Sequence, residues 1–419
     1  MKSGHAVYTD FSLTIEKKLT NSSNVQGKAA FEAAGMVLGG YNPGFELVRG
    51  SHPNAIEHFV VLSERGSPRL LLPRARPIMQ TAVTTFLGGY RFAFLMPPLL
   101  QIASRAGNTF SYLTTTVSLI SQERSPSPLR ELIADVLQRS DFQIALRLSF
   151  GRPNAKTVAM AISDSGEALC FAKLGSEEMT NRLVAHESSV LEDFEGAADM
   201  SVVVPRRLYS GVLAAGHNIL ITDPLELEPL NRDARSAHQA ADAFASQNLV
   251  TNSTLSDSSY WRHTVERVEK FGVSGNSDEI LRSTIAEIER TWGGHSFDIC
   301  ASHGDWTRAN LGMVNGRVAA LDWERCTKLA PRGIDIAHFA LSESSSGFLR
   351  KTLDTDRVAN TVRQYLTVAN RPPNEAEPLI VLALLEMVIR FRSAQSAGVK
   401  TSDSKFGPAL QAALQQWSV

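Results

Sequence analysis

Cysteine is scarce in this chain: Cys170, Cys300 and Cys326 are the three thiols among 419 residues. They form no CxxC pair and no even-numbered framework, which argues against a disulfide scaffold or a zinc cluster and for a reducing compartment. An excess of charge of either sign is also missing. Lys plus Arg (42) nearly cancel Asp plus Glu (43), and no run of five or six like charges occurs. The chain therefore offers no electrostatic footprint for nucleic acid or an anionic membrane. Long apolar runs are absent as well. FAFLMPPLLQIA (92–103) and PLIVLALLEMVI (378–389) are the greasiest stretches. Both fall short of the roughly 18–20 apolar residues that span a bilayer, so both are expected to be core segments. The opening MKSGHAVYTDFSLTIEKKL has no apolar stretch after its positive charge, which predicts no signal peptide and a cytoplasmic protein. The expected partner is a small molecule.

What is present is ample apolar material, 43% of residues, enough for two or three domains. EHFVVLSERGSPRLLLP (57–73) is a hairpin signal, two apolar runs around Gly66 and Pro68. SQERSPSP (121–128) is a Ser/Pro joint, and Pro128 can open a helix in which Leu129, Leu132, Ile133, Val136 and Leu137 repeat at helical spacing. From about 141 the pattern is that of strands: FQIALRLSFG, TVAMAISD and EALCFAKLG, joined by short turns, predict an antiparallel meander. A helix is expected over 176–194, strand-like pieces over 201–209 and 217–225, and mainly helix from 229 to about 293 and again after the polar stretch that follows.

That stretch, SHGDWTRANLGMVNGRVAALDWE (302–324), carries the chemistry. ANLGMV and RVAALDW are short strands around Asn315-Gly316, the strongest two-residue hairpin signal because both central positions need positive φ. Folding back along that turn brings Asn310 and Asp322 to one end of the hairpin, each with a hard oxygen suited to Mg²⁺. Asp305 lies five residues before Asn310, placed to take a proton from a hydroxyl held near a metal-bound phosphate.

The order His303-Gly304-Asp305, Asn310, hairpin, Asp322-Trp323-Glu324 resembles the aminoglycoside phosphotransferase and choline kinase-like family, small-molecule kinases of the protein-kinase-like superfamily. H-G-D stands for the H-R-D of protein kinases and D-W-E for D-F-G. The resemblance covers about residues 141–400. It implies an α+β, two-lobed protein-kinase-like fold: a small antiparallel sheet lobe (123–228) with the nucleotide-binding sheet, and a larger helical lobe (229–419) with the catalytic and metal-binding loops. An additional N-terminal α+β module of unknown role (1–122) precedes them.

Residue by residue, the resemblance makes Lys173 the phosphate-binding lysine and Glu187 its ion-pair partner, and puts the adenine-binding hinge at Thr222 and Asp223. It makes Asn310 and Asp322 the metal ligands, Asp305 the catalytic base, and His303 and Asp335 structural supports of the loop. The first meander turn, SFGRPNAKTV, lacks the glycine triplet of protein kinases, which leaves Gly151 and Lys156 without an assigned phosphate contact.

The implied activity is Mg²⁺-dependent transfer of the γ-phosphate of ATP (or GTP) to a hydroxyl of a small molecule. A sugar, aminosugar or aminoglycoside-like acceptor comes first, with choline- or homoserine-type amino alcohols as the alternative. A kinase-fold nucleotide-binding regulator without transfer activity is the competing class. A metal hydrolase using His303, Asp305 and Asp322 lacks a second histidine at i+4. A protein kinase lacks the A-P-E stretch after Asp322.

Overall fold

The computed structural model describes residues 32, 34–42, 44–64, 67–87, 115–121, 125–148, 156–196, 200–230, 234–271, 276–345, 354–396 and 406–417. The run at 92–103, the Gly151-Arg152-Pro153-Asn154 turn and the greater part of the opening stretch lie outside them. The chain divides into two compact units, one within Met1–Phe150, Asn154–Ala185 and Arg207–Pro224, the other within Gly151–Pro153, His186–Arg206 and Leu225–Val419.

Among the described residues, the first unit is built on a nine-stranded antiparallel sheet. Its strands are β1 (Phe45–Arg49), β2 (Ala55–Glu64), β3 (Ser67–Pro73), β4 (Thr115–Ser121), β5 (Phe142–Arg147), β6 (Thr157–Ser163), β7 (Ala168–Leu174), β8 (Arg207–Val212) and β9 (Asn218–Thr222), in the order β1-β4-β2-β3-β5-β6-β7-β9-β8. The expected 57–73 hairpin is β2–β3 and the expected meander is β5–β6–β7. Helix α1 is Arg76–Leu87, α2 is Pro128–Leu137, and α3 is Glu178–Phe194, whose C-terminal half belongs to the second unit.

Period-two alternation assigns the two faces of the sheet. Leu71, Ile144, Leu146, Ala159 and Ala161 turn to one face, where Leu129 and Ile133 of α2 complete the core. Leu70, Leu72, Ala145, Met160 and Ile162 turn to the other, against Ile78, Ala82, Val83 and Phe86 of α1. The N-terminal turn of α2 is set as its sequence suggests: the Ser127 side chain caps it, accepting from Arg130 N at 3.1 Å, and Pro128 follows.

This packing differs from the expected division at 122/123. Strand β3 pairs with β5, and α1 packs on β5 and β6, so the described part of 1–122 shares both cores with the meander. Tyr41 adds a further tie, its hydroxyl donating to Gly175 O at 3.0 Å and its ring stacked 3.6 Å from His217. The later division falls at 224/225 instead of 228/229, with 186–206 transferred to the second unit.

The second unit holds α4 (Arg235–Gln247), β10 (Leu249–Thr254), α5 (Ser259–Phe271), α6 (Asn276–Trp292), β11 (Ser296–Ser302), β12 (Leu311–Val314), β13 (Arg317–Ala320), β14 (Thr327–Pro331), α7 (Ile334–Ser345), α8 (Thr355–Val368), α9 (Ala376–Ser396) and α10 (Phe406–Trp417). Helix α9 contains the apolar run 378–389 and is buried nearly all round from Leu379 to Leu385, as a helix at the centre of a core must be.

Three expectations differ from the structure here. Strands β10 and β14 flank β11 in a three-stranded sheet, where the sequence suggested helix or loop. The polar LVTNST of β10 carries no strand periodicity; its pairing with β11 makes it one. The strand expected over 201–209 begins only at Arg207, because Pro205 has no N–H to give to a ladder.

Leu71 is fully buried on the face that α2 covers. Leu71→Ala is expected to lower stability by about 2–5 kcal/mol. Because the core is shared, amide exchange should quicken in β5 and β6 as well as in β2 and β3. Unchanged protection in β5 and β6 would show that the two regions fold independently.

Candidate active site

The polar stretch folds around one buried carboxylate. Asp335, in the first turn of α7, accepts from Ser302 Oγ at 2.9 Å, His303 N at 2.8 Å and Gly304 N at 3.0 Å. Three donors on one carboxylate are charge-assisted and fix the backbone where β11 ends. Gly304 has φ +77°, and a Cβ there would lie 2.3 Å from Arg325 O, so glycine is required by both conformation and space.

His303 is fully buried between Trp306 and Trp323, with ring centroids 5.5 and 4.5 Å away. Its Nδ1 accepts from Asp305 N at 3.1 Å, which leaves Nε2–H to donate to Leu321 O at 2.9 Å. The imidazole thus ties the segment leading into the hairpin to the segment leaving it.

The hairpin itself turns at Asn315 (φ 50°) and Gly316 (φ 76°), both at positive φ as a primed turn demands. Leu311 faces Ala320 across it, and Leu321 N donates to Asn310 O at 2.8 Å. Asn310 and Asp322 are therefore neighbours at the open end. The Asn310 amide donates both protons to Asp305, to Oδ2 at 2.8 Å and to the main-chain oxygen at 3.0 Å, so its own oxygen remains as the acceptor for a cation. Asp322 sits in the left-handed region (φ 65°, ψ 59°), a conformation uncommon for a residue with a Cβ and concentrated at functional sites.

Glu187 is buried in the C-terminal half of α3, where its Oε1 accepts from Trp323 N at 3.2 Å. Glu187, Asp322 and Glu324 each offer a carboxylate oxygen, all within 4.8 Å of one another. Three carboxylates this close repel unless a cation or proton is shared, and hard oxygens with the adjacent Asn310 amide are the donor set that Mg²⁺ takes. The residues present fit that ion.

Of the positions singled out in the sequence, the second unit brings together Glu187, His303, Asp305, Asn310, Asp322 and Asp335. Lys173, Thr222 and Asp223 lie in the first. Lys173 is on β7, paired with Leu220 of β9, and buried Thr222 ends β9 opposite Phe171, two residues before Lys173. Lys156 is buried next to the start of β6.

Several residues to which no role was assigned from the sequence join the site. Glu324 closes the D-W-E triplet and joins the carboxylate group. Arg390, on α9, has Nη1 3.9 Å from Asp305 Oδ1 and donates from Nη2 to Gly304 O. Arg325 follows Glu324, and burial, with the Arg390 charge adding to it, pushes its pKa down to about 10 against the pull of Asp305 and Asp322. His338 Nε2 is 3.8 Å from Asp305 Oδ1 and its Nδ1 lies 3.4 Å from Trp306 O. Glu386 and Arg390 are the charged residues of an otherwise apolar run in α9, which marks them as unusual charges without naming their partners. The three thiols are buried and their pKa values are pushed up to about 12, which keeps them protonated and unreactive.

No protein-family model matches the sequence, and none of the curated proteins matches it. Solved structures do. A thermostable mutant of aminoglycoside phosphotransferase APH(4)-Ia is 12% identical, with a TM-score of 0.47 over 68% of this chain and 98% of its own. A putative fructosamine-3-kinase from Haemophilus somnus 129PT is 14% identical, with a TM-score of 0.42 over 69% and 96%. The amicoumacin kinase hAmiN, in complex with AMP-PNP, Ca²⁺ and Ami, is 10% identical, with a TM-score of 0.41 over 70% and 93%. The matches are small-molecule kinases. Their TM-scores lie below one half, so the reading of the site rests on its own geometry.

Two measurements check the site's scaffold. Asp335→Asn replaces one acceptor oxygen by a donor facing N–H or O–H groups, and is expected to lower stability by about 1.5–3 kcal/mol in urea unfolding. An unchanged midpoint would show that the carboxylate does not brace the loop. For His338, burial foremost and then the Arg390 charge hold the imidazole pKa below its ordinary value, with Asp305 and Asp335 opposing. The folded state keeps it neutral while the unfolded chain protonates it. Stability is therefore full above about pH 6.5 and falls as the pH drops below that value. His338→Gln should make the acid limb of a stability–pH curve shallower, and identical limbs would contradict this.

Proposed function

We propose that this protein transfers the γ-phosphate of a nucleoside triphosphate to a hydroxyl of a small molecule. The observation that supports it most is the Asp305–Asn310–Asp322 grouping: one carboxylate oriented by the amide of a second residue, whose remaining oxygen lies beside a carboxylate at a strained backbone position. A base and a pair of hard-oxygen ligands side by side are what phosphoryl transfer to an alcohol needs, since its catalysis is mostly positioning and charge neutralisation.

In this reading Asp305 takes the proton of the acceptor hydroxyl. Its Oδ2 is held by Asn310, so Oδ1 is the receiving atom. The acceptor oxygen then forms a bond to the γ-phosphorus as the bond from that phosphorus to the bridging oxygen breaks, and the nucleoside diphosphate leaves with the electron pair. Asp322 and Asn310, with Glu324 beside them, would hold Mg²⁺, which when bound neutralises phosphate charge. Lys173, with Glu187 steadying it, is assigned to the α- and β-phosphates, and the main chain at Thr222 and Asp223 to the base, by resemblance to small-molecule kinases. Asp335 and His303 keep the loop in register through the hydrogen bonds described above. ATP or GTP is the expected donor, and a sugar, aminosugar or aminoglycoside-like alcohol the expected acceptor.

The test is a screen of ATP and GTP with Mg²⁺ against pooled hydroxyl-bearing metabolites and antibiotics, reading phosphorylated product by mass. Asp305→Asn is expected to cut turnover by at least about 10²-fold, the usual scale of general-base catalysis, while nucleotide still binds. Asp322→Asn should instead remove the Mg²⁺ dependence of nucleotide binding. Wild-type turnover in the Asp305 variant would sink the assignment. Nucleotide binding without turnover on any acceptor would favour a regulatory protein.

A further inference from the structure

Among the described residues, most arginines of the second unit that meet carboxylates hydrogen-bond them directly. Arg332 bonds Asp242 at 2.8 and 2.7 Å, Arg371 bonds Glu375 at 2.9 Å through both oxygens, and Arg267 bonds Glu386 at 3.0 and 2.9 Å. Arg325 and Arg390 differ. Their side chains are 22% and 21% exposed, comparable to Arg332 at 17%, so they are withdrawn from water to a similar degree. Yet Arg325 reaches only to 3.9 Å from Glu324 Oε1 and has no hydrogen bond from its guanidinium among the described residues. Arg390 spends one donor on the Gly304 carbonyl and stands 3.9 Å from Asp305.

Both arginines are fastened to the same place. Gly304, immediately before Asp305, lies against the Arg325 main chain and Cβ on one side and gives its carbonyl to Arg390 on the other. Arg390 thus stands 3.9 Å from the candidate base, Arg325 is anchored through its backbone beside the preceding glycine and feels the charges of Arg390 and Asp305, and both guanidiniums have hydrogen-bond donors left over.

A guanidinium's planar donors match the oxygens of a carboxylate or phosphate two at a time. An anion there would satisfy the spare donors and relieve the mutual repulsion. A cationic acceptor would meet two like charges instead.

Resting on the phosphoryl-transfer reading, we propose that Arg325 and Arg390 form an oxyanion subsite beside Asp305 that takes a carboxylate or phosphate carried by the acceptor. The acceptor class is accordingly an acidic hydroxy compound, such as a hydroxy acid or a sugar bearing an acid or phosphate group, in place of the cationic aminosugar or aminoglycoside-like alcohol that the resemblance suggests. The transferring phosphoryl group of the nucleotide offers the same chemistry, and the test separates the two.

Full-length protein is titrated first with nucleotide and Mg²⁺, then with inorganic phosphate at constant ionic strength, by calorimetry. One arm is saturated with AMP-PNP, which fills the γ-position, and the other with ADP, which leaves it open. The expected result is phosphate binding in the AMP-PNP arm, weakened at least about tenfold in Arg325→Gln and in Arg390→Gln, the scale of losing a charge-assisted hydrogen bond. The exposed-arginine control Arg262→Gln should bind as wild type does. Arginine-dependent binding in the ADP arm alone assigns the pair to the nucleotide and overturns the acceptor subsite. Absence of phosphate binding by the wild type in both arms, or binding equal in all variants, overturns it as well. If either glutamine variant fails to fold, the lysine variant at that position keeps the charge without the fork and is expected to weaken phosphate binding to a lesser degree; unchanged affinity in it counts against the proposal. Failure of nucleotide to bind in the first step is separate: it removes the phosphoryl-transfer reading before phosphate is added.

Discussion

The geometry of the second unit hangs on the Asp335 carboxylate. With Ser302, His303 and Gly304 all donating to it, the end of β11 is held in one conformation by an acid that α7 supplies from more than thirty residues later. Everything that follows depends on that anchorage. Once the loop backbone is fixed, His303 can hold Asp305 N with one ring nitrogen and Leu321 O with the other, which keys the base to the outgoing strand of the hairpin. The Asn315-Gly316 turn then sets the register that brings Asn310 to Asp322. A carboxylate buried at 6% exposure is expensive unless its oxygens are fully used, and here three donors use them.

Much of this was legible in the sequence because its parts are close along the chain. Asp305, Asn310 and Asp322 fall within eighteen residues, and an Asn-Gly pair between alternating apolar runs announces its turn through backbone sterics alone. The meander and the capped helix α2 were legible for the same reason: period-two burial, a serine cap and a proline at the first helical position are local signals. What was not legible depends on distant context. Arg390 reaches Gly304 across 86 positions, and no periodicity links a charge on α9 to a loop that far upstream. Strand β10 has polar residues on exposed positions and exists because β11 offers it an edge. The packing across residue 122 was hidden for a related reason: Ser/Pro punctuation marks a joint in the chain, and a joint says nothing of which cores lie on either side of it.

Electrostatically the site is a balance of opposed clusters. Glu187, Asp322 and Glu324 gather negative charge at one end of the hairpin, suited to a divalent cation. Arg325 and Arg390 gather positive charge by Asp305. Arg325 stands 3.9 Å from Glu324 and Arg390 3.9 Å from Asp305, neither pair hydrogen-bonded, whereas Arg332–Asp242 and Arg267–Glu386 of the same unit close to 2.7–3.0 Å. At such separations in a half-buried setting each pair still attracts by a few kcal/mol, about 4 at an effective dielectric constant of 20. They are therefore held in mutual attraction while the Arg325 and Arg390 guanidiniums keep spare donors, the feature from which the anion subsite is proposed.

The first unit shows how a sheet can be enlarged without creating a new core. Had the meander stood alone, β5 would be an exposed edge with unpaired backbone groups, the usual liability of a short antiparallel sheet. Strand β3 covers that edge, and β2, β4 and β1 extend the same sheet beyond it. Helix α1 then lies on Ala145, Met160 and Ile162 of β5 and β6, the face opposite α2. Small residues at 145, 159 and 161 in the central strands allow this double cover, because they let side chains from helices on both faces approach the backbone closely. The N-terminal strands and the Lys173-bearing strand β7 are thus parts of one sheet.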